Sequence, residues 1–170
     1  RSVNGGKSWT GVDYSTTIGS FINPTDYDSR SKTMYCGADN DRFIRWDNAI
    51  SGRSFTAVPL SSLGGVIRHV SVSPYTLNRV FFGSSSGKII RVDNANDDNT
   101  LTATTIKSGT PTSNISCIAV GTNDNNLLAT YSNYGAQHVW LTNDGGTSWT
   151  NVSGNLPDMP VWWAVFYPES

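Results

Sequence analysis

Apolar side chains occur along this chain in short runs that polar residues separate. Val, Ile, Phe, Tyr, Trp and Thr supply most of the runs, as in "TMYC", "RFIRW", "RVFFG" and "KIIRV". Clusters of Asn, Asp, Gly and Ser divide one run from the next. β-Branched and aromatic residues favour strands, whereas such polar clusters favour turns. The pattern therefore predicts an all-β fold made of many short strands.

Composition and charge argue against a helical fold and against several classes of function. Good surface helix formers are scarce, since the only Glu is Glu169 and the only Gln is Gln137. The formal net charge is -1 with both signs scattered, so there is no basic face for nucleic acid or anionic lipid. No apolar run approaches the roughly 20 residues that span a bilayer. We therefore expect neither nucleic-acid binding nor membrane insertion.

The chain repeats itself about every 47 residues. The segments "IRWDN" and "IRVDN" align with "WLTND" and with the opening "RSVN", which places Asn4, Asn48, Asn94 and Asp144 in register at steps of 44, 46 and 50 residues. A second landmark follows at steps of 50, 47 and 47 residues, at Pro24, Pro74, Gly121 and Pro168. Two landmarks that share one period indicate a repeat architecture.

Each repeat contains four predicted strands, which is the content of one β-propeller blade. The strands are predicted at residues 17–23, 32–37, 42–46 and 54–58, at 67–73, 79–83, 88–92 and 101–106, and at 114–120, 126–131, 137–142 and 148–152. The predicted divisions are a part-blade at 1–13, blades at 14–60, 61–107 and 108–153, and the innermost strand of a next blade at 159–168. The fold prediction is a partial β-propeller of four-stranded antiparallel blades.

A polar turn ending in tryptophan is written twice, as "SVNGGKSW" and "TNDGGTSW". The second copy resembles the Asp-box, or BNR repeat, in which Ser or Thr, Asp, Gly, Ser or Thr, and Trp recur at fixed spacing. The matching residues are Thr142, Asp144, Gly146, Ser148 and Trp149, and in the first copy Ser2, Asn4, Gly6, Ser8 and Trp9. A short carboxylate can accept hydrogen bonds from its own turn, and glycine permits positive φ. We expect both copies to be structural.

The resemblance to Asp-box propellers of the sortilin and glycosyl-hydrolase type extends over the whole chain. The segment "GNLPDMPVWWAVFYP" is similar to secreted or cell-surface versions from the Bacteroidota. Propellers close by pairing their first and last blades, so three blades with two part-blades leave unpaired edges. We therefore expect a longer polypeptide or a companion fragment to complete the ring, the alternative being a symmetric dimer. The resemblance implies a secreted or cell-surface location.

One stretch carries a second resemblance. Residues 34–49, "MYCGADNDRFIRWDNA", are similar to the first-blade segment of glycoside hydrolases that cut xyloglucan and related β-glucans. The resemblance implies that Asp39 is one of the two catalytic carboxylates such hydrolysis needs. Asp41 and Arg42 stand where that family has a Gly pair, and Arg42 beside Asp39 is placed to hold its pKa low. A turn-capping role for Asp39 is the alternative.

Other functional residues follow from the predicted architecture. The leading ends of the innermost strands face the channel mouth, where propellers commonly bind, and there the candidate ligand-binding residues are Arg68, His69, Trp162 and Trp163. Trp faces stack on sugar rings, and guanidinium or imidazole donors reach hydroxyls. The alternative places one of the two adjacent Trp residues in the core, because successive strand residues face opposite sides, and makes His69 structural.

Metal and cofactor chemistry has little support in the sequence. Asn94, Asn96 and Asp98 stand at alternate positions, a spacing that calcium loops use, and a solvated loop is the alternative. With Glu169 as the sole Glu, the chain cannot hold a complete sialidase site. We expect a glycan- or protein-binding or scaffold segment of an extracellular propeller without a cofactor. The alternative is part of a β-glucan hydrolase using Asp39.

Overall fold

The computed structural model describes residue 2 and residues 4–11, 22–39, 41–51, 55–109 and 113–167. These residues form twelve β-strands and no helix. The strands are β1 (Thr25–Asp28), β2 (Thr33–Gly37), β3 (Arg42–Trp46), β4 (Thr56–Pro59), β5 (Ile67–Val72), β6 (Val80–Ser84), β7 (Ile89–Asp93), β8 (Thr102–Lys107), β9 (Ile115–Val120), β10 (Leu127–Tyr131), β11 (Val139–Thr142) and β12 (Thr150–Asn151). The predicted all-β class is confirmed.

The strands assemble into three separate four-stranded sheets. Sheet 1 contains β1 to β4, sheet 2 contains β5 to β8 and sheet 3 contains β9 to β12, in each case in chain order. All pairs are antiparallel. The repeated Asn48 and Asn94 follow the third strand of their sheets with φ of 47° and 53°. Asn tolerates this left-handed conformation better than most residues, which explains why it recurs there.

The sheets meet through their first strands. β1 contacts β5, and β5 contacts β9. Two apolar cores fill the spaces between the sheets, one from sheets 1 and 2 and one from sheets 2 and 3. Inner strands packed side by side, with cores between successive sheets, are the arrangement expected for neighbouring blades around a common axis.

Strand β6 shows how the middle sheet serves both cores. All five of its residues are buried. Phe82 belongs to the core with sheet 1, where its ring lies 4.8 Å from that of Phe43. The adjacent Phe81 belongs to the core with sheet 3. Successive strand residues face opposite sides. A strand that is packed on both faces therefore carries apolar residues at successive positions, as Val80, Phe81 and Phe82 do in β6.

Most predicted strands lie within two residues of the observed bounds, and the exceptions are the first and last. The predicted strand at 17–23 falls mainly outside the described residues, and the first strand of sheet 1 is Thr25–Asp28 instead. The described part of 159–168 contains no strand. This segment lies beside β9, where the Ser116 hydroxyl donates to the Val161 carbonyl and the Cys117 thiol to the Ala164 carbonyl. It therefore contacts side chains of β9 rather than forming a backbone ladder.

Candidate ligand site between the inner strands

A cavity of about 440 Å³ opens beside the inner strands of the three sheets. β1, β5 and β9 each contribute to its wall, and the segment after sheet 3 adds Trp163. The lining residues are Pro24, Thr25, Asp26, Arg68, His69, Val70, Ser71, Ser116, Ile118 and Trp163. Three of the four candidate ligand-binding residues thus meet in one cavity. Trp162 does not line it.

A bulge in β5 sets the directions of Arg68 and His69. Ile67 pairs with Ser84 and His69 pairs with the next residue, Gly83, so Arg68 is the extra residue. Arg68 is exposed, whereas His69 is only 8% exposed. Neighbouring residues of one strand therefore present a guanidinium to solvent and an imidazole to the wall of the cavity.

His69 is held in its neutral form. Burial lowers its pKa, and hydrogen bonds with the backbone of Ile118 and Ser116, together with the charge of Asp26, offset only part of that effect. Its ring lies 5.5 Å from the Trp163 ring at an interplanar angle of 67°. This is an edge-to-face contact of the kind aromatic pairs favour. A neutral imidazole carries one donor and one acceptor nitrogen.

Asp26 is the cavity residue that the sequence analysis missed. Its carboxylate accepts hydrogen bonds from the Val72 amide at 2.7 Å and from the Tyr27 amide at 2.8 Å. These bonds fix the carboxyl group of Asp26 between β1 and β5. Nothing in "PTDYD" distinguishes Asp26 from the neighbouring Asp28, because the contact that places it comes from a residue 46 positions away.

Neither tryptophan of the adjacent pair lies in the core. Trp162 is 68% exposed and Trp163 is 67% exposed, so the expectation that one of them is buried is wrong. Strand alternation would have turned them to opposite sides, but the segment is not a strand. Trp163 consequently offers an aromatic face at the cavity.

Asp39 lies outside this cavity. Arg42 approaches it with two nitrogens, Nε at 2.8 Å from Oδ1 and Nη2 in close contact with Oδ2. The hydrogen bonds from Arg42 hold the pKa of Asp39 below its ordinary value. Both side chains are exposed. A carboxylate paired in this way stays ionised at neutral pH and is poorly suited to donate a proton.

The two tryptophan-ended turns have one hydrogen-bond pattern. The Thr142 hydroxyl donates to Asp144 Oδ1 at 2.8 Å and accepts from the Gly146 amide at 3.0 Å, and the Ser148 amide donates to Asp144 Oδ1 at 2.9 Å. In the first turn Ser2, Asn4, Gly6 and Ser8 make the corresponding three bonds at 3.1, 2.8 and 3.0 Å. These bonds close each turn without help from elsewhere.

The second turn is also seated against the neighbouring sheet. The Trp149 indole donates to the Ile106 carbonyl on β8 at 2.8 Å. A Cβ placed on Gly146 would stand 2.6 Å from Ile106 Cβ. Trp149 and Gly146 therefore join sheet 3 to sheet 2. In the first turn Trp9 is 75% exposed.

Comparison with known proteins adds the fold and no more. No protein-family model matches the chain, and no curated protein matches it. Among solved structures it is similar to YCF48 from Cyanidioschyzon merolae, with a TM-score of 0.58 and 16% identity over 75% of this chain. The fold is that of a β-propeller. The match spans 38% of the YCF48 chain, and identity at this level carries no information on function.

The loop that contains Asn94, Asn96 and Asp98, whose spacing is one that calcium loops use, makes hydrogen bonds to other parts of the protein. Asp98 Oδ1 accepts a hydrogen bond from Arg45 Nη1 of sheet 1 at 2.6 Å, and the Asn94 amide donates to the Thr100 carbonyl at 3.2 Å. In the part of the chain that the structure describes, no three or more His, Cys, Asp or Glu residues are grouped so that they could hold a metal ion. The same part has no helix of a length and hydropathy that would cross a bilayer.

Proposed function

We propose that this propeller segment is an extracellular binding module and that the cavity between its inner strands binds a saccharide. The observation that carries the proposal is the meeting of Arg68, His69, Asp26 and Trp163 around one space of about 440 Å³. Cavities of about 300–1,000 Å³ are typical of small-molecule sites. The secreted or cell-surface location is part of the proposal.

The four side chains supply complementary contacts for a sugar. An exposed indole face packs on the apolar C–H face of a sugar ring. Asp26 accepts hydrogen bonds from hydroxyl groups, Arg68 donates them, and neutral His69, whose ring hydrogen-bonds the backbone of β9, offers its acceptor nitrogen. Arg68 forms no ion pair with any described residue, so its guanidinium is available to a ligand.

The tryptophan-ended turns complete the proposal as structural elements. We assign residues 2–9 and 142–149 as Asp-boxes on the shared hydrogen-bond pattern. The hydrolase alternative depends on Asp39, and its pairing with Arg42 favours binding over catalysis.

The adjacent tryptophans provide a matched test. Binding of xyloglucan and cello-oligosaccharides would be measured by ligand-observed NMR and calorimetry for the parent protein, Trp163→Ala and Trp162→Ala. Trp162 and Trp163 are equally exposed, but only Trp163 lines the cavity. We expect Trp163→Ala to weaken binding by about tenfold and Trp162→Ala to leave it unchanged.

Two outcomes would overturn the proposal. Equal losses in the two variants would place the sugar elsewhere, and absence of binding to a broad glycan panel would favour a protein ligand or a scaffold. Release of reducing sugar that disappears in Asp39→Ala would instead support the hydrolase.

A further inference from the structure

A second cavity, of about 430 Å³, lies between sheets 2 and 3. The end of β8, the described residues Ser108, Gly109 and Ser113 that follow it, and the hairpin between β10 and β11 form its walls. The side chains that matter here are Lys107, Tyr134, Gln137 and Trp140. None of them belongs to the cavity between the inner strands.

Lys107 is the only charged residue among the described residues that line this cavity. Its ammonium lies 3.9 Å from the centroid of the Trp140 ring and 4.9 Å from that of Trp149. Burial lowers its pKa to about 8, and no carboxylate counteracts this effect. Within the described chain Lys107 forms no ion pair.

A half-buried ammonium without a counter-ion is electrostatically unfavourable, because its charge is partly removed from water and not balanced. Indole faces attract the cation through the ring quadrupole but do not neutralise its charge. Charged side chains that leave water are usually paired. The cavity therefore has an electrostatic preference for an anion beside Lys107.

The rest of the wall indicates what kind of anion fits. Tyr134 lines the cavity and is 74% exposed, so most of its side chain is not packed against the protein. The Trp140 indole nitrogen donates to the Gln137 carbonyl, so Trp140 is held in place while the Gln137 amide remains a further polar group. Aromatic faces with hydroxyl and amide groups around one cation suit a ring that carries hydroxyls and a carboxylate.

We propose that this cavity is a second ligand site that binds a uronic acid, with Lys107 paired to the sugar carboxylate and Tyr134 beside the sugar ring. The site is separate from the one assigned under the proposed function. The uronate titrations are therefore made in the Trp163→Ala background, in which the first site is weakened, so that failure of one proposal is distinguishable from failure of the other.

The test compares charged and neutral forms of one sugar. D-Glucuronate, D-glucose and acetate would be titrated into the protein and followed by ligand-observed NMR. The variants are Lys107→Met, which keeps the apolar stem against the indoles, Tyr134→Ala, and Lys7→Met as a control at an exposed lysine. Thermal unfolding would verify that each variant is folded, and Tyr134→Ala tests the site at a position that contributes little to the core.

We expect glucuronate to bind at least tenfold more tightly than glucose or acetate. Lys107→Met should lose at least tenfold in affinity, Tyr134→Ala several-fold, and Lys7→Met nothing. Equal binding of glucose and glucuronate, equal binding of acetate, full affinity in Lys107→Met, or no glucuronate binding would each overturn the proposal.

Discussion

Asn4 and Asp144 occupy the same place in two copies of one turn, and they differ in charge and in the direction of one hydrogen bond. Both accept hydrogen bonds from a hydroxyl and from an amide. The Ser148 hydroxyl donates to Asp144 at 2.6 Å, whereas the Asn4 amide donates to Ser8 at 2.8 Å. Asn thus reproduces the geometry by reversing one bond, and the ionised side chain adds charge-assisted bonds only in the second turn.

This difference predicts an acid-sensitive contribution at residue 144. Hydrogen bonds from Ser148 and Thr142 lower the pKa of Asp144 from 3.8 to about 2. A lowered pKa stabilises the fold above the unfolded value and loses that effect as the pH falls through the folded value. The unfolding temperature of the parent should therefore exceed that of Asp144→Asn at pH 7, and the gap should close between about pH 4 and pH 2. Thermal unfolding across this range checks it.

The reverse exchange in the first turn, Asn4→Asp, is the matching control. It should introduce the same pH dependence there, since the partners of residue 4 have the same arrangement. A gap between parent and Asp144→Asn that persists unchanged at about pH 2 would contradict the assigned pairing.

At the residue scale the sequence predicts contacts that are local and misses those that are distant. The bonds within the turns join residues two or four apart, and the Asp39–Arg42 pair joins residues three apart. Spacing alone is enough to predict them. Asp26 and Lys107 have no such local pattern, because their surroundings come from other sheets.

At the scale of the element, the turn between β11 and β12 connects two sheets. Gly146 has φ of 93°, and its Cα faces Ile106 so closely that an added Cβ would lie 2.7 Å from the Ile106 carbonyl oxygen. Gly6 has the equivalent φ of 85° but no heavy atom within 4 Å of its Cβ position. The two glycines share a backbone requirement and differ in packing.

The pair allows the two effects to be separated. Gly6→Ala should cost about 1 kcal/mol of unfolding free energy for the left-handed backbone alone. Gly146→Ala should cost about 2 to 4 kcal/mol, because the methyl group must also displace Ile106. Urea denaturation of the two variants measures the difference. Equal losses of unfolding free energy in the two variants would show that the turn is not packed tightly against Ile106 of β8.

Strands such as β6 and β7 were predictable because each carries its own apolar run between turn residues. β1, with the sequence TDYD, has no such run and was not predicted. The end segment was not predictable in the same way. "VWWAVFY" has strand composition, but a strand also requires a neighbouring strand, and none forms a ladder with it among the described residues. Composition reports the tendency to form a strand and not the presence of a neighbour.

At the scale of the whole molecule, ion pairs cross from sheet to sheet. Arg45 of sheet 1 contacts Asp98, which follows the third strand of sheet 2. Arg79 lies 3.0 Å from Asp124, which precedes the second strand of sheet 3. Asp124 also accepts hydrogen bonds from the hydroxyls of Ser73 and Thr76 and is 8% exposed. Each seam between sheets thus contains a directional polar contact beside its apolar core.

Loss of the Asp124 carboxylate should weaken the second seam. Asp124→Ala leaves two hydroxyls without their buried acceptor and Arg79 with Asp93 as its remaining partner, and we expect a loss of about 3 kcal/mol in unfolding free energy. Asp97→Ala is the control, because the Asp97 carboxylate bonds at the surface to nearby Asn99 and Thr100. Denaturant unfolding should show the smaller change in the control, and comparable losses would contradict a special role for Asp124.

The adjacent residues Phe81 and Phe82 pack in different cores, and this limits how blades can be exchanged. Phe82 packs against sheet 1 and Phe81 packs against sheet 3. A blade copied into a new place by duplication or engineering would meet unfamiliar surfaces on both flanks. A blade could consequently be exchanged only together with the surfaces of its two neighbouring sheets that pack against it.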